Sequence, residues 1–421
     1  MDYNRSKPQE FVQPLLHRIY LASPTMHGDE LKYINEAFAT NWVSTVGENI
    51  NSVEQSFCGL LGKPYTVALS SGTAALHMAI RSCAEQIYGR PEAGEGALAG
   101  RKVFCSDLTF AATVNPILYE AGEPVLIDSE PSTWNMDPDA LERAFSRYPE
   151  TKLVVVVHLY GTPAQIDRIL EICHAHQALL VEDAAEALGA TYRGKPLGSY
   201  GDIGVISFNG NKIITGSCGG LIVTDDEKAM QRIRKWSTQS REPVSWYQHT
   251  ELGFNYRMSN LVAGVIRGQL PHLQEHVEKK IQIYNYYRDH LKDLPLTMNP
   301  FPKDCSVPNH WLSCAVIHPK AMCKQVRTED SVSFVHEAGK SCPTEILDRL
   351  AALNIEGRPV WKPMHMQPFF KKYAFVNADG DPRTDFGADA FARGFCLPSD
   401  IKMQTDEMDV IIDVIHQCFS A

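Results

Sequence analysis

The chain has 421 residues, 44% hydrophobic and 21% charged, enough for a large packed core and too long for one small domain. Its net charge of −10 argues against nonspecific nucleic-acid or membrane binding, so an anionic ligand would need a local basic cluster. Eleven scattered cysteines without a Cys-x-x-Cys pair, a start (Met1-Asp2-Tyr3-Asn4-Arg5) without an apolar segment, and no apolar run longer than Leu153 to Val157 lead to the expectation of free thiols in a cytoplasmic, non-membrane protein.

From about residue 65 to residue 225, short β-rich runs alternate with helix-period stretches. Thr66 to Leu69 reads as a strand. Leu76, Ala79, Ile80 and Cys83 then recur at helical spacing, which puts Gly72-Thr73 at a helix N-terminus. The Gly-, Ala- and Glu-rich stretch from Glu85 to Arg101 reads as an exposed insertion. Strands follow at Pro124 to Asp128, Leu153 to His158, Leu179 to Asp183, Ile203 to Ser207 and Leu221 to Val223. Between them, Ile166, Ile169, Leu170 and Cys173 mark one face of a helix. Leu261 to Leu291 reads as long helix, interrupted near Pro271, and the remainder as a smaller domain of mixed strands and helices. Alternating strand and helix implies a mostly parallel sheet covered on both faces, with its ligand at the carboxyl ends of the strands. Ser71, Asp107, His158, Asp183 and Ser207 all fall at such ends.

Three pieces carry chemistry. Ser71-Gly72-Thr73-Ala74 offers unpaired backbone N–H groups and hydroxyls to a phosphate. Asp183 could hold a pyridine nitrogen protonated; it could equally be a helix cap. Lys212, in Ser207-Phe208-Asn209-Gly210-Asn211-Lys212, offers an amine that can condense with an aldehyde once neutral; the alternative is a surface loop lysine. A phosphate cradle, a carboxylate for a pyridinium and a reactive amine together suit pyridoxal 5′-phosphate (PLP). Ser207 points to a second phosphate contact. Glu186 could reach the cofactor's phenolic oxygen or complete a capping box. Phe110 could stack on the cofactor ring or pack in the core. His158, in His158-Leu159-Tyr160-Gly161, could orient ligand groups or be a satisfied core histidine. Arg358-Pro359-Val360-Trp361-Lys362-Pro363-Met364-His365 gathers the groups that grip a diphosphate and a base. Cys173-His174-Ala175-His176 has ligand-like residue types, but it lies on an amphipathic helix, and no metal is expected.

These segments, with Asn255-Tyr256-Arg257-Met258-Ser259-Asn260, resemble the DegT/StrS-type sugar aminotransferases, from about Leu21 to the C-terminus. Within that family, His158 to Gly161 and Ser207 to Lys212 are most similar to the 4-aminotransferases of the bacillosamine pathway. The resemblance implies PLP-dependent transferase fold type I: an N-terminal arm (1–30), a large PLP-binding domain (31–260) and a small C-terminal α+β domain (261–421). It implies that Lys212 bonds to the cofactor and that Asp183 pairs with its ring nitrogen. Gly72, Thr73 and Ser207 would hold the phosphate, and Phe110 would stack on the ring. Asn255 would reach the phosphate of a partner subunit, so a homodimer with shared active sites is implied. Tyr160 and His158, with Arg257, Arg358, Trp361 and His365, would lie near the substrate. Many family members carry Gln or His where Glu186 stands. The expected reaction moves an amino group from glutamate to the 4-keto carbon of a UDP-linked 4-keto-6-deoxy N-acetylhexosamine. A sister dehydratase carries histidine at the lysine position, which Lys212 argues against. A nonenzymatic PLP-binding regulator gains nothing from the acidic charge. A nucleotide-dependent dehydrogenase would need a Gly-x-Gly-x-x-Gly, and none follows the first strand.

Overall fold

The structure is a computed structural model that describes residues 14–420. The first part of the expected N-terminal arm, residues 1–13, lies outside the described residues.

Seven strands in the first 230 residues belong to the main sheet: β1 (Tyr65–Leu69), β2 (Lys102–Ser106), β3 (Glu123–Ile127), β4 (Leu153–Val157), β5 (Leu179–Asp183), β6 (Ile203–Ser207) and β7 (Gly220–Thr224). They form one sheet in the order β1-β7-β6-β5-β4-β2-β3, and Ala374–Val376 adds an eighth strand beside β3. All neighbours are parallel except around β7, which runs antiparallel to both β1 and β6. β4 reads Leu-Val-Val-Val-Val and is buried along its whole length, as a parallel strand covered on both faces must be. Because successive side chains point to opposite faces, the strands feed two separate cores. Phe104, Val125, Val154 and Val156 enter one, while Val103, Cys105, Val155 and Val181 enter the other.

The helix Gly72–Tyr88 starts at the end of β1 and covers one face; Ser71 caps it by accepting a hydrogen bond from the Ala74 N–H at 3.0 Å. The stretch from Glu85 to Arg101 is largely exposed from Gly89 to Glu95, as expected, but departs from an exposed insertion at its start and at Ala97-Leu98. Its first four residues are the last turn of that helix, and Ala97 and Leu98 are buried. The Ala97 N–H donates to Glu120 Oε2 at 2.8 Å and the Leu98 N–H to the Glu120 carbonyl at 2.9 Å. Two apolar residues and one buried carboxylate thus anchor a loop whose composition reads as solvent-exposed.

Leu261 to Leu291 divides where Pro271 removes an N–H. A helix at Asn260–Gln269 gives way to one 3-10 turn, Leu270–His272, and resumes as Leu273–His290. The Asn260–Gln269 helix packs on Asp29–Ala39 and Glu48–Leu61. The small domain has a four-stranded antiparallel sheet, in the order Leu296–Met298, Ser313–Ile317, Gly394–Leu397, Arg358–Pro359. Its core gathers Tyr287, Ile317, Ile346, Phe395 and Ile411. Ile19 joins that core, and the backbone at Ile19 pairs with Ile355, so the segment before the first helix lies along the small domain.

Candidate active site

The carboxyl ends of β1, β4, β5 and β6 share one edge of the sheet. Gly72 opens its helix directly against the end of β6. A Cβ added there would stand 2.9 Å from both Cβ and Oγ of Ser207. Only glycine lets the helix N-terminus come this close to that hydroxyl, and the pair makes a cradle of backbone N–H and O–H donors. Thr73 follows in the same first turn, half-buried.

Asp183 ends β5 and is buried. Its Oδ2 accepts from Thr113 Oγ1 at 2.8 Å and its Oδ1 from the Ala185 N–H at 3.1 Å. Burial raises its pKa, against the pull of those two bonds and of the Lys212 charge. A carboxylate held this way gains from a cationic heterocycle placed beside it.

Lys212 lies in the loop after β6, its side chain 13% exposed. Its Nζ is 3.6 Å from Glu186 Oε1 and 4.0 Å from the centre of the Trp311 ring. Glu186 is buried and its Oε2 accepts from the Tyr160 N–H at 2.7 Å. Burial pushes the Glu186 carboxyl up to about 7, with Lys212 and the Tyr160 bond opposing. Trp311 is fixed in turn, since its Nε1 donates to the Asn211 carbonyl at 2.7 Å. Asn309 ties this loop to the large domain by donating to the carbonyls of Glu186 and Leu188 at 2.8 and 2.9 Å. It sits against Gly161, where φ is +86° and a Cβ would lie 1.7 Å from Asn309 Oδ1.

Beside Lys212 opens a cavity of about 480 Å³, lined in part by Phe110, Asn211, Trp311, Arg358, Trp361 and Lys362. Phe110 is 60% exposed and faces Trp361 at 5.6 Å between ring centres. Arg358 is 62% exposed and donates to Glu356 at 2.8 Å. Lys212 itself lines a smaller adjoining space.

Four of the residues expected near substrate are held by protein partners. His158 is fully buried: its Nδ1 accepts from the Ala164 N–H at 3.0 Å, so its proton is on Nε2, 2.9 Å from Glu182 Oε1. Arg257 Nη1 is taken by Glu54 Oε1 at 2.6 Å and by the Ala68 carbonyl at 2.9 Å. His365 is clamped between Asp107 Oδ2 at 2.6 Å and Asp385 Oδ2 at 3.0 Å. Burial alone would lower its pKa, but the two carboxylates outweigh that and push it up to about 10. Tyr160 is 1% exposed, and its hydroxyl accepts from the Trp361 N–H at 3.0 Å. Both tyrosine contacts position other site residues. Asn255 is exposed on this single chain.

Thr113, Asn309 and Trp311 were not picked out from sequence. Thr113 stands in an ordinary helical stretch. Asn309 and Trp311 lie about a hundred residues from Lys212, and no local spacing links them to it.

A glycine-hydroxyl cradle, a buried carboxylate and a lysine at the strand ends of this sheet fit PLP, and the protein is a PLP-dependent aminotransferase of fold type I. More narrowly, the chain belongs to the DegT/DnrJ/EryC1/StrS aminotransferase family, whose model matches residues 24–416. It is 42% identical over 409 residues to the Bacillus subtilis (strain 168) protein named "Putative pyridoxal phosphate-dependent aminotransferase EpsN", covering 96% of each chain. It is 33% identical over 405 residues to GDP-perosamine synthase of Caulobacter vibrioides, covering 96% of this chain and 98% of that one. Among solved structures it is similar in fold to Helicobacter pylori PseC, an aminotransferase involved in the biosynthesis of pseudoaminic acid. The TM-score is 0.80 at 19% identity, covering 96% of this chain and 99% of that one. No helix among the described residues is long and apolar enough to cross a membrane.

Proposed function

We propose that the protein transfers an amino group from glutamate to the 4-keto carbon of a nucleotide-linked 4-keto-6-deoxy N-acetylhexosamine, with UDP as the nucleotide. The observation that carries an amino-transfer site is Lys212 Nζ, 3.6 Å from a buried Glu186 and beside an aromatic cavity large enough for a sugar. Bound PLP supplies an aldehyde for the amine and a protonated ring that withdraws electrons from the reacting carbon.

In this reading Gly72, Thr73 and Ser207 bind the cofactor phosphate, and Asp183 keeps its ring nitrogen protonated. Thr113 holds the Asp183 carboxylate in place at 2.8 Å. Phe110, which lines the cavity, would stack on the ring. Lys212 must be neutral to react, and the Glu186 carboxyl, titrating near neutrality, can take up the proton its Nζ sheds. During turnover Lys212 Nζ carries protons to and from the reacting carbons, while Trp311 shields it from water. Arg358 and Lys362 face the diphosphate, and Trp361 packs against the sugar or base. A second copy of the chain completes each site, with exposed Asn255 reaching across to the partner's phosphate. Cytoplasmic nucleotide sugars are the substrate pool.

The UDP assignment rests on the His158 to Gly161 and Ser207 to Lys212 segments; a relative named for a GDP-linked product makes GDP the competing choice. Incubation with glutamate and UDP-, GDP- or dTDP-linked 4-keto sugars decides it by product mass and amine configuration. Amination of the UDP N-acetyl sugar is expected. Turnover confined to a GDP-linked sugar without an acetamido group overturns the substrate assignment and leaves the reaction class standing.

A further inference from the structure

The indole beside Lys212 is held at each of its residue's polar groups. The Trp311 N–H donates to Asn309 Oδ1 at 2.9 Å, and its Nε1 donates to the Asn211 carbonyl at 2.7 Å. Its carbonyl accepts from Lys280 Nζ at 2.9 Å. The first two anchors come from two residues upstream and from the residue next to Lys212. The third comes from a separate element, the Leu273–His290 helix. One turn earlier on that helix, His276 Nδ1 donates to the Ile213 carbonyl at 2.8 Å. Residues four apart share a helix face, so one face holds both the loop that carries Lys212 and the indole next to it.

Lys280 is an unusual residue to find in this place. It is 5% exposed and forms no ion pair among the described residues. Asp400, the carboxylate whose charge acts on it, is engaged by Ser23 and Lys402. Burial lowers the Lys280 pKa to about 7, with Asp400 opposing. Charged or neutral, the amine keeps an N–H for the Trp311 carbonyl. A buried amine without a carboxylate partner is unfavourable for folding, and a methionine would fill the space without that penalty. Packing alone therefore does not account for Lys280. Ligand binding does not either, because the space it shares with Lys212, Gln269 and His276 is about 10 Å³, no larger than about one water.

We propose that Lys280 is a positioning residue for amino transfer: through the Trp311 carbonyl it fixes the indole whose ring centre lies 4.0 Å from Lys212 Nζ. This rests on the reading of Lys212 as the reactive amine. A fixed indole limits the directions open to Nζ and keeps water from it. Without the Lys280 bond the Trp311 carbonyl has no donor, and its peptide turns to find one. The ring turns with the peptide, and Lys212 loses its cover. Lys280 itself does not line the larger cavity, so the loss falls on the chemical step more than on substrate binding.

The test is a double-mutant cycle in the full chain, with Lys280→Met, Trp311→Ala and the two combined. Two quantities are read: kcat and KM of the holoenzyme, and the rate at which acetic anhydride labels Lys212 in the PLP-free protein, followed by peptide mass mapping. Lys280→Met should lower kcat about tenfold with a smaller change in KM, and speed Lys212 labelling about 3–10-fold. Added to Trp311→Ala, it should change either reading by less than about twofold, because the ring it acts through is gone. Lys280→Gln keeps an N–H donor and should lose less than Lys280→Met, which decides the matter if Trp311→Ala does not fold. Lys279→Met, on the exposed side of the same helix, should match the parent. Borohydride reduction of the parent separates the two ways of failing. Cofactor trapped on another lysine overturns the Lys212 reading and this role with it. Cofactor on Lys212, with Lys280→Met matching the parent, Lys280→Gln losing as much as Lys280→Met, or losses fully additive in the double variant, overturns the positioning role alone.

Discussion

Gly72→Ala tests the phosphate cradle. The new methyl would stand 2.9 Å from Cβ and Oγ of Ser207, closer than real Cβ atoms approach, so the helix start or the end of β6 must shift by about 0.5–1 Å. Charge-assisted hydrogen bonds to a phosphate span about 2.7–2.9 Å, and a displacement of that size removes at least one. A bond to a charged group contributes about 1.5–3 kcal/mol, so PLP should bind about 10–150-fold more weakly. The overpacked apoprotein should also lose about 1–3 kcal/mol of stability. The assay is PLP titration of cofactor-free protein by absorbance, with the apoprotein's thermal midpoint measured separately. Ser207→Ala removes the hydroxyl without the clash and should weaken PLP by a smaller factor. PLP affinity within about threefold of the parent in a folded Gly72→Ala protein would refute the cradle.

Three further outcomes follow from the geometry. Glu186 has its pKa raised from 4.5 to about 7, so the folded apoprotein holds that proton more tightly than the unfolded chain does. The parent should therefore lose about 3 kcal/mol relative to Glu186→Gln as pH rises from about 4.5 through 7, and paired melts at pH 5 and pH 8 check this. His365→Ala leaves buried Asp107 without its cation and should cost about 3–5 kcal/mol, read as a lower thermal midpoint at pH 7; an unchanged midpoint with a raised KM would restore His365 as a substrate contact. Arg358→Ala should raise KM for the nucleotide sugar about 3–10-fold and leave kcat nearly unchanged, because exposed charges contribute uniform binding; a fall in kcat at constant KM counts against that role.

Much of this architecture can be read along the chain, because its strands are short, apolar and punctuated. β4 and β5 stand out as buried runs, and Pro271 marks its own helix break. The strand-end rule then sets Ser71, Asp107, His158, Asp183 and Ser207 at strand ends, with Lys212 in the loop that follows Ser207. What escapes is pairing across long sequence separations. His158, Arg257 and His365 carry the right groups for ligand binding, yet each faces a buried carboxylate: Glu182, Glu54 and Asp107. Residue type indicates that a polar side chain needs a partner and not which partner it finds. Trp311, brought over Lys212 by the small domain, shows the same limit from the other side. The Glu85 to Arg101 stretch shows that loop-like composition does not exclude burial when one carboxylate, Glu120, accepts its backbone N–H.

The central claim is that Lys212 is the amine that holds the cofactor. Borohydride reduction of the holoenzyme followed by peptide mass mapping tests it directly. The account predicts one reduced pyridoxyl phosphate group per chain, on the peptide containing Lys212 and absent from Lys212→Ala. The same label on another lysine, such as buried Lys280, or no covalent label at all, would contradict it.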